Sequence, residues 1–333
     1  MSDKPNYSLV VPIYKNEGSI PALFDRLRDL TGDLDDSLET IFVIDGSPDA
    51  SLQMTKELLS SSDLCGTIIS FTRNFGAWSA IRAGLARARG DAIAVMAADL
   101  QEPLDLVVSL FRAVSHEASD VAVGVRVGRE DPLGVRLTSA VYWGAFRKLV
   151  NTEFPPDGVD MFACSRRALE NLLGLDERES SLVGLLYWMG YRATLIPYQR
   201  QERQGGKSAW TFAARLRYAA DGLFSFTAIP MRFLGLAGLV GFGAGVFMAA
   251  WTFLAKILGL VQVPGYATTT ILITLFGGIQ LAGLSLLGEY LWRVLENTRR
   301  RPFYIIDSIS SNGDGEQGAV EVLGSDADDA EKG

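Results

Sequence analysis

Two long stretches without a charged residue constrain this chain of 333 residues more than any other feature. Phe233–Ala255 is 23 uncharged residues between Arg232 and Lys256, and Thr268–Gly288 is 21 uncharged residues ending at Glu289. As a helix the first measures about 35 Å, enough to cross the hydrocarbon of a bilayer, and globular cores seldom need uncharged runs of ~20 residues. Val263-Pro264-Gly265-Tyr266 separates the two, as a turn between antiparallel spans would. Arg215, Arg217 and Arg232 precede the first run and Arg293, Arg299, Arg300 and Arg301 follow the second, whereas the connecting loop has only Lys256 at its edge. The positive-inside bias therefore predicts a multi-pass membrane protein with both ends in the cytoplasm.

The pattern divides the chain into four parts. Residues 1–210 are expected to form a cytoplasmic α/β domain. Residues 211–231, with Phe212, Leu216, Tyr218, Ala219, Leu223 and Phe226 interleaved with Arg215 and Arg217, read as an amphipathic helix at the membrane interface. Residues 232–295 hold two transmembrane helices, about 233–255 and 268–290, and 296–333 form a cytoplasmic tail. Gly241 with Gly245, and Gly278 with Ala282, are small pairs that suit close packing of the hairpin or of protomers in a homo-oligomer. Met1–Tyr7 is polar and lacks the basic segment and apolar run of a signal peptide.

The formal charge of −8 reflects the tail rather than the body. Residues 307–333 carry eight Asp or Glu against one Lys, a net −7, which leaves about −1 for everything before them. With so few apolar residues, the tail is expected to be disordered from about 307. No nucleic-acid partner is expected. Cys65 and Cys164 lie far apart without CxxC or CxxH spacing, which argues against a disulfide framework or a zinc site. One histidine, His116, cannot supply a His-rich metal centre.

From Ser8 to Pro197, β-branched runs alternate with amphipathic segments. Strands are predicted at Ser8–Ile13, Glu39–Ile44, Thr67–Phe71, Asp91–Ala97 and Asp120–Val125, and helices at Ser19–Leu30, Ser51–Ser60, Gly76–Ala88 and Leu104–Val114. Strand then helix, repeated, predicts a mainly parallel sheet covered on both faces, which binds ligands at the carboxyl ends of its strands. The first strand ends in Val11-Pro12-Ile13-Tyr14-Lys15-Asn16-Glu17 and the second in Ile44-Asp45-Gly46-Ser47-Pro48-Asp49. An aromatic and a carboxylate at adjacent strand ends can stack on a nucleobase and accept its imino hydrogen; the plainer reading is a polar turn in which Asp49 or Ser51 caps the next helix. The fourth strand ends in Ala97-Ala98-Asp99-Leu100-Gln101-Glu102-Pro103. Asp99 with Gln101 suits a hard divalent cation, Mg²⁺ or Mn²⁺, whose shell is completed by substrate phosphates; the plainer reading is a helix cap before Pro103.

Val11-Pro12-Ile13-Tyr14, Asp45-Gly46-Ser47, Arg73-Asn74-Phe75-Gly76, Ala98-Asp99-Leu100-Gln101 and Arg203-Gln204-Gly205-Gly206-Lys207-Ser208 occur in the order seen in glycosyltransferase family 2. Over roughly residues 7–300 the chain resembles the bacterial polyprenyl-phosphate glycosyltransferases related to dolichol-phosphate mannose synthase. The resemblance implies a GT-A fold, an inverting mechanism, a metal-dependent nucleotide-sugar donor (UDP- or GDP-linked) and a polyprenyl phosphate acceptor.

Carried over by position, Pro12, Tyr14, Glu17 and Asp45 would bind base and ribose, with Arg73, Gly76, Ala98 and Asp99 also at the nucleotide. Asp99 and Gln101 would hold the metal. Asp160 matches the family's acidic residue near the acceptor, and Arg126, Arg136 and Ser139 lie where relatives place contacts to the acceptor phosphate. Arg203 and Lys207 sit in a Gly-rich loop suited to closing over the diphosphate. Two departures stand out. Relatives often carry Asp-Asp where this chain has Ile44-Asp45, and Asp-x-Asp where it has Ala97-Ala98-Asp99; weaker metal binding, or substitution by Glu102 or a water, are the alternatives for the second. Two readings from other classes are a membrane-tethered nucleotide-binding regulator and a flippase subunit. Spans without an internal charge offer a flippase no polar path, and a regulator has no use for Asp160, Arg203 or Lys207.

Overall fold

Three apolar runs in the first 71 residues become the strands on which the rest is built. In the computed structural model, β1 (Tyr7–Ile13), β2 (Leu38–Ile44) and β3 (Gly66–Phe71) lie side by side and parallel, with Tyr7 opposite Leu38 and Thr40 opposite Gly66. All seven residues of β2 are buried, as expected of a strand covered on both faces. The structure describes residues 4–34, 38–115, 119–127, 161–175, 182–199, 265–299 and 301–312, and scattered positions between 236 and 258.

Helices α1 (Ile20–Asp33), α2 (Ser51–Ser60), α3 (Ala77–Arg87) and α4 (Leu104–Ser115) return the chain between strands. Each is positioned by an apolar stripe at helical spacing. In α1 the stripe is Ile20, Leu23, Phe24, Leu27 and Leu30, and Phe24 stacks on Phe42 of β2 with ring centroids 5.2 Å apart. Pro21 in the first turn of α1 has no backbone N–H to waste there. After β4 (Ala92–Val95) and β5 (Val121–Arg126), the chain adds β6 (Met161–Ser165), α5 (Arg166–Gly174), α6 (Leu182–Trp188) and β7 (Ala193–Tyr198). The sheet order is β7-β5-β6-β4-β1-β2-β3-β8. Its parallel part confirms the expected α/β layering. Only β6 and β8 run antiparallel to their neighbours.

The last strand corrects the expected tail. Ile306–Asn312 is not irregular but forms β8, antiparallel to β3, with Ile309 opposite Ile69. Averaging composition over 307–333 concealed it, because Ile306 and Ile309 lie at the start of an otherwise polar stretch. An unpaired β3 edge supplies the hydrogen-bonding partner that such a segment lacks alone. Asn312 completes the contact by donating its side-chain amide to the Leu59, Ser62 and Leu64 carbonyls at the end of α2.

The chain divides into two compact units, Met1–Ala219 with Arg301–Gly333, and Ala220–Arg300. In the second, α7 spans Tyr266–Thr298, longer than the predicted 268–290, and every described residue from 236 to 257 is helical. A Cβ on Gly241 would lie 3.0 Å from Phe276 Cε1, so the two apolar runs meet there. Among the described residues no helix is long and apolar enough to cross a membrane; several positions of the first run lie outside that set. Many of the described large apolar side chains of this unit are exposed, Phe247, Ile273 and Leu281 each about 70%.

Candidate functional site

The carboxyl ends of β1, β2, β3 and β4 share one edge of the sheet because the four strands are parallel. β5 is antiparallel to β6, which is antiparallel to β4, so Arg126 at the end of β5 reaches the same edge. The structure thus brings Tyr14, Glu17, Asp45, Arg73, Gly76, Ala98, Asp99, Gln101 and Arg126 to one side of the molecule, with Pro12 one residue inside β1. Asp160, Arg203, Lys207, Arg136 and Ser139 lie outside the described residues.

Backbone strain marks the same edge. Among the described residues, two that are not glycine have positive φ: Lys15 at 55°, after β1, and Leu100 at 59°, after β4. Left-handed conformations cost such residues of order 1 kcal/mol or more and gather at ligand sites. Here they fall on the two adjacent strands that flank the expected nucleotide. Tyr14 is 41% exposed beside Lys15, whose ammonium sits 5.3 Å from the Tyr14 ring.

Asp45 is the most constrained member of the site. Its carboxylate is buried and accepts two backbone N–H groups, from Phe75 at 2.6 Å and Gly76 at 2.9 Å. Burial pushes its pKa above the ordinary 3.8; the Phe75 and Gly76 donors and the nearby Arg73 charge pull it down without cancelling that rise. Gly46 allows the approach: its φ is +55°, and a Cβ there would lie 2.2 Å from the Arg73 carbonyl carbon. Asp45 therefore clamps the loop between β3 and α3. Arg73 lies over the Phe75 ring, 4.0 Å from its centroid, on the outside of that loop. Asp45, expected with Pro12, Tyr14 and Glu17 at base and ribose, has both carboxylate oxygens engaged by the Phe75 and Gly76 N–H groups of this loop.

The loops after β1 and β2 are laced together by side chains that sequence reasoning passed over or read only as caps. Lys15 N–H donates to Ser47 Oγ at 2.8 Å, Asn16 N–H to Ser51 Oγ at 3.2 Å, and Glu17 N–H to Asp49 Oδ2 at 3.3 Å. Asp49 also accepts from Ser47 Oγ and Ser51 N. Burial raises the Asp49 pKa, but these donors outweigh it and hold the carboxyl below its ordinary value. Glu17, expected at base or ribose, has its carboxylate on the Ala50 N–H at 3.1 Å, at the N-terminus of α2. The Ser47-Pro48-Asp49 spacing carried the signal for the caps. Nothing local carried it for Glu17, whose partner is 33 residues away.

The Asp99 turn is held from below. Ser19 Oγ donates to the Ala98 carbonyl at 2.7 Å, and Arg26 donates to the Leu100 and Glu102 carbonyls. Asp99 and Gln101 are half-buried, and Asp99 Oδ1 accepts the Gln101 N–H at 3.4 Å. These are hard oxygen donors of the type Mg²⁺ or Mn²⁺ takes. Among the described residues no group of three or more His, Cys, Asp or Glu could hold a metal ion.

The carboxyl edge of a parallel sheet, here lined by polar, strained loops, is where α/β folds bind ligands. Residues 8–173 match glycosyl transferase family 2. The chain is 31% identical over 303 residues to an uncharacterized glycosyltransferase of Synechocystis, covering 91% of this chain and 95% of that one. It is 32% identical over 302 residues to the bactoprenol glucosyl transferase of Shigella phage SfX, covering 90% of this chain and 98% of the relative. A mannosyltransferase from Pyrobaculum calidifontis, solved with GDP-Man and Mn²⁺, superposes with a TM-score of 0.46 at 18% identity over 85% of this chain and 88% of that one. The chain belongs to glycosyl transferase family 2 and is a glycosyltransferase with a GT-A-like α/β fold.

Proposed function

We propose that this enzyme transfers a sugar, with inversion, from a nucleoside-diphosphate sugar to a polyprenyl phosphate at the cytoplasmic face of a membrane. The observation that carries the donor side is the convergence of Tyr14, the Asp45 clamp with Arg73 and Gly76, and Asp99 on one strained sheet edge. The acceptor side rests on relatives named bactoprenol glucosyl transferase over most of the chain. The membrane rests on the two uncharged runs and on the exposure of large apolar side chains there, Phe247, Ile273 and Leu281 among them.

In this reading an acceptor phosphate oxygen attacks the anomeric carbon, a C–O bond forms there, and the bond to the nucleoside diphosphate breaks with its electron pair leaving on the diphosphate. The acceptor has a second pKa near 6, so at neutral pH its oxygen is already anionic and needs little help from a base. Asp160 then orients the acceptor more than it deprotonates it. Arg126, Arg136 and Ser139 are assigned to the acceptor phosphate, and Arg203 and Lys207 to the diphosphate, because two anions must be held close together. Asp99 and Gln101 would hold Mg²⁺ or Mn²⁺, which neutralises charge on the leaving diphosphate.

The test is a donor panel. Purified full-length enzyme, Mg²⁺ or Mn²⁺ and polyprenyl phosphate are incubated with UDP-glucose, UDP-N-acetylglucosamine or GDP-mannose, and lipid-linked sugar is measured. At least one donor should yield product. No product with any of a wider set of UDP- and GDP-sugars would favour a tethered nucleotide-binding regulator instead.

A further inference from the structure

The residues that follow α7 in the chain belong to the same compact unit as the donor edge. Covering the edge of β3 accounts for β8 and for Asn312, but not for the three residues before β8. Tyr304 lies face to face with Phe71, the last residue of β3, with ring centroids 5.0 Å apart and planes 7° apart. Phe71 meets Phe75 edge-on at 5.8 Å. Phe75 carries the Arg73 guanidinium on its ring and gives its N–H to Asp45. Between these rings the Thr72 N–H donates to the Ile305 carbonyl at 3.1 Å. Arg82 of α3 lies over Phe303 at 4.3 Å while donating to the Leu173 carbonyl at 2.7 Å. The loop that Asp45 clamps from one side is therefore gripped on the other by residues 303–305.

We propose that Tyr304 is a positioning residue for the donor nucleotide, acting through Phe71 and Phe75 to hold Arg73 and the Asp45 clamp in place. The segment after the second apolar helix is then part of the donor site and not only its tether. This inference rests on the nucleotide reading above. Stacked and edge-on aromatic pairs are worth enough to set the population of a loop geometry, and in this proposal the loop they hold belongs to the donor rather than to the acceptor. Burial pushes the Tyr304 phenol above its ordinary pKa, against the pull of Arg82 and Arg87, so the ring stays neutral at working pH.

The experiment measures nucleotide binding by full-length protein, with UDP and GDP as probes in Mn²⁺, beside donor KM and kcat. Tyr304→Ala should weaken binding and raise KM together by roughly five- to tenfold, with kcat at saturating donor within about twofold of wild type. Tyr304→Phe keeps the ring and should restore both. Asn312→Ala removes the contacts to the α2 carbonyls and should lower the melting temperature without moving nucleotide affinity. Unchanged affinity in Tyr304→Ala, or equal losses in Tyr304→Ala and Asn312→Ala, would overturn the proposal. Should the alanine variant melt, Tyr304→Leu retains apolar volume without the stacked ring, and the same two readings apply. Wild-type protein that binds neither UDP nor GDP defeats the nucleotide reading itself, and this inference with it, before any variant is compared.

Discussion

Asp99→Ala is expected to lower the rate of sugar transfer about a hundredfold at saturating donor, because a divalent cation on a leaving diphosphate contributes several kcal/mol to the transition state. The loss should fall on kcat more than on donor KM. In the proposed reading, base and ribose are held by the loops after β1 and β2 and not by the metal at Asp99. Fold is expected to survive: the Asp99 turn is held through backbone carbonyls by Ser19 and Arg26, and those bonds do not need the Asp99 side chain. The check is the initial rate of lipid-linked sugar formation over a range of Mn²⁺ concentrations, beside a thermal melt. A variant within threefold of wild type would remove Asp99 from the metal site and return it to the role of a turn residue.

Asp45→Ala should instead cost both stability and donor affinity. Two effects oppose each other. Removing a buried carboxylate recovers its desolvation penalty, the same burial that raises its pKa; it also strips the acceptor from the Phe75 and Gly76 N–H groups. The raised pKa means the donors do not cancel the penalty on the charged form, so the cost is set by the two part-buried N–H groups left without an acceptor, about 1–3 kcal/mol each, and stability should fall by about 2 kcal/mol. Denaturant unfolding should show that difference, and UDP or GDP affinity should fall roughly tenfold as Arg73 is released. Asp45→Asn retains one acceptor oxygen and should sit between. Wild-type affinity in the alanine variant would contradict the clamp.

Much of the first 126 residues was legible because apolar periodicity there is strong and uninterrupted. Ser51–Ser60 was read to the residue, and β1, β2 and β3 each begin only one residue before the predicted start. The later strands were not. Met161–Ser165 contains no β-branched residue, Ala193–Tyr198 is an edge strand with Pro197 inside it, and β8 is half polar. Such segments become strands through a partner already in place, which is tertiary information. The site follows the same division. The carboxyl edge was readable from strand ends, and the motifs named Tyr14, Asp45, Gly76 and Asp99, which the fold places there. That Asp45 spends both oxygens on a loop thirty residues away, and that Glu17 caps α2, required the fold.

In the proposed reaction the acceptor's phosphate is the nucleophile. The most direct measurement of this compares polyprenyl phosphate with the matching polyprenol, under the one donor that supports transfer, by counting labelled sugar in the lipid phase. Product is expected from the phosphate and at least about a hundredfold less from the alcohol, since only the phosphate offers an anionic oxygen at neutral pH and a group for the arginines to hold. Equal transfer to both lipids would contradict it.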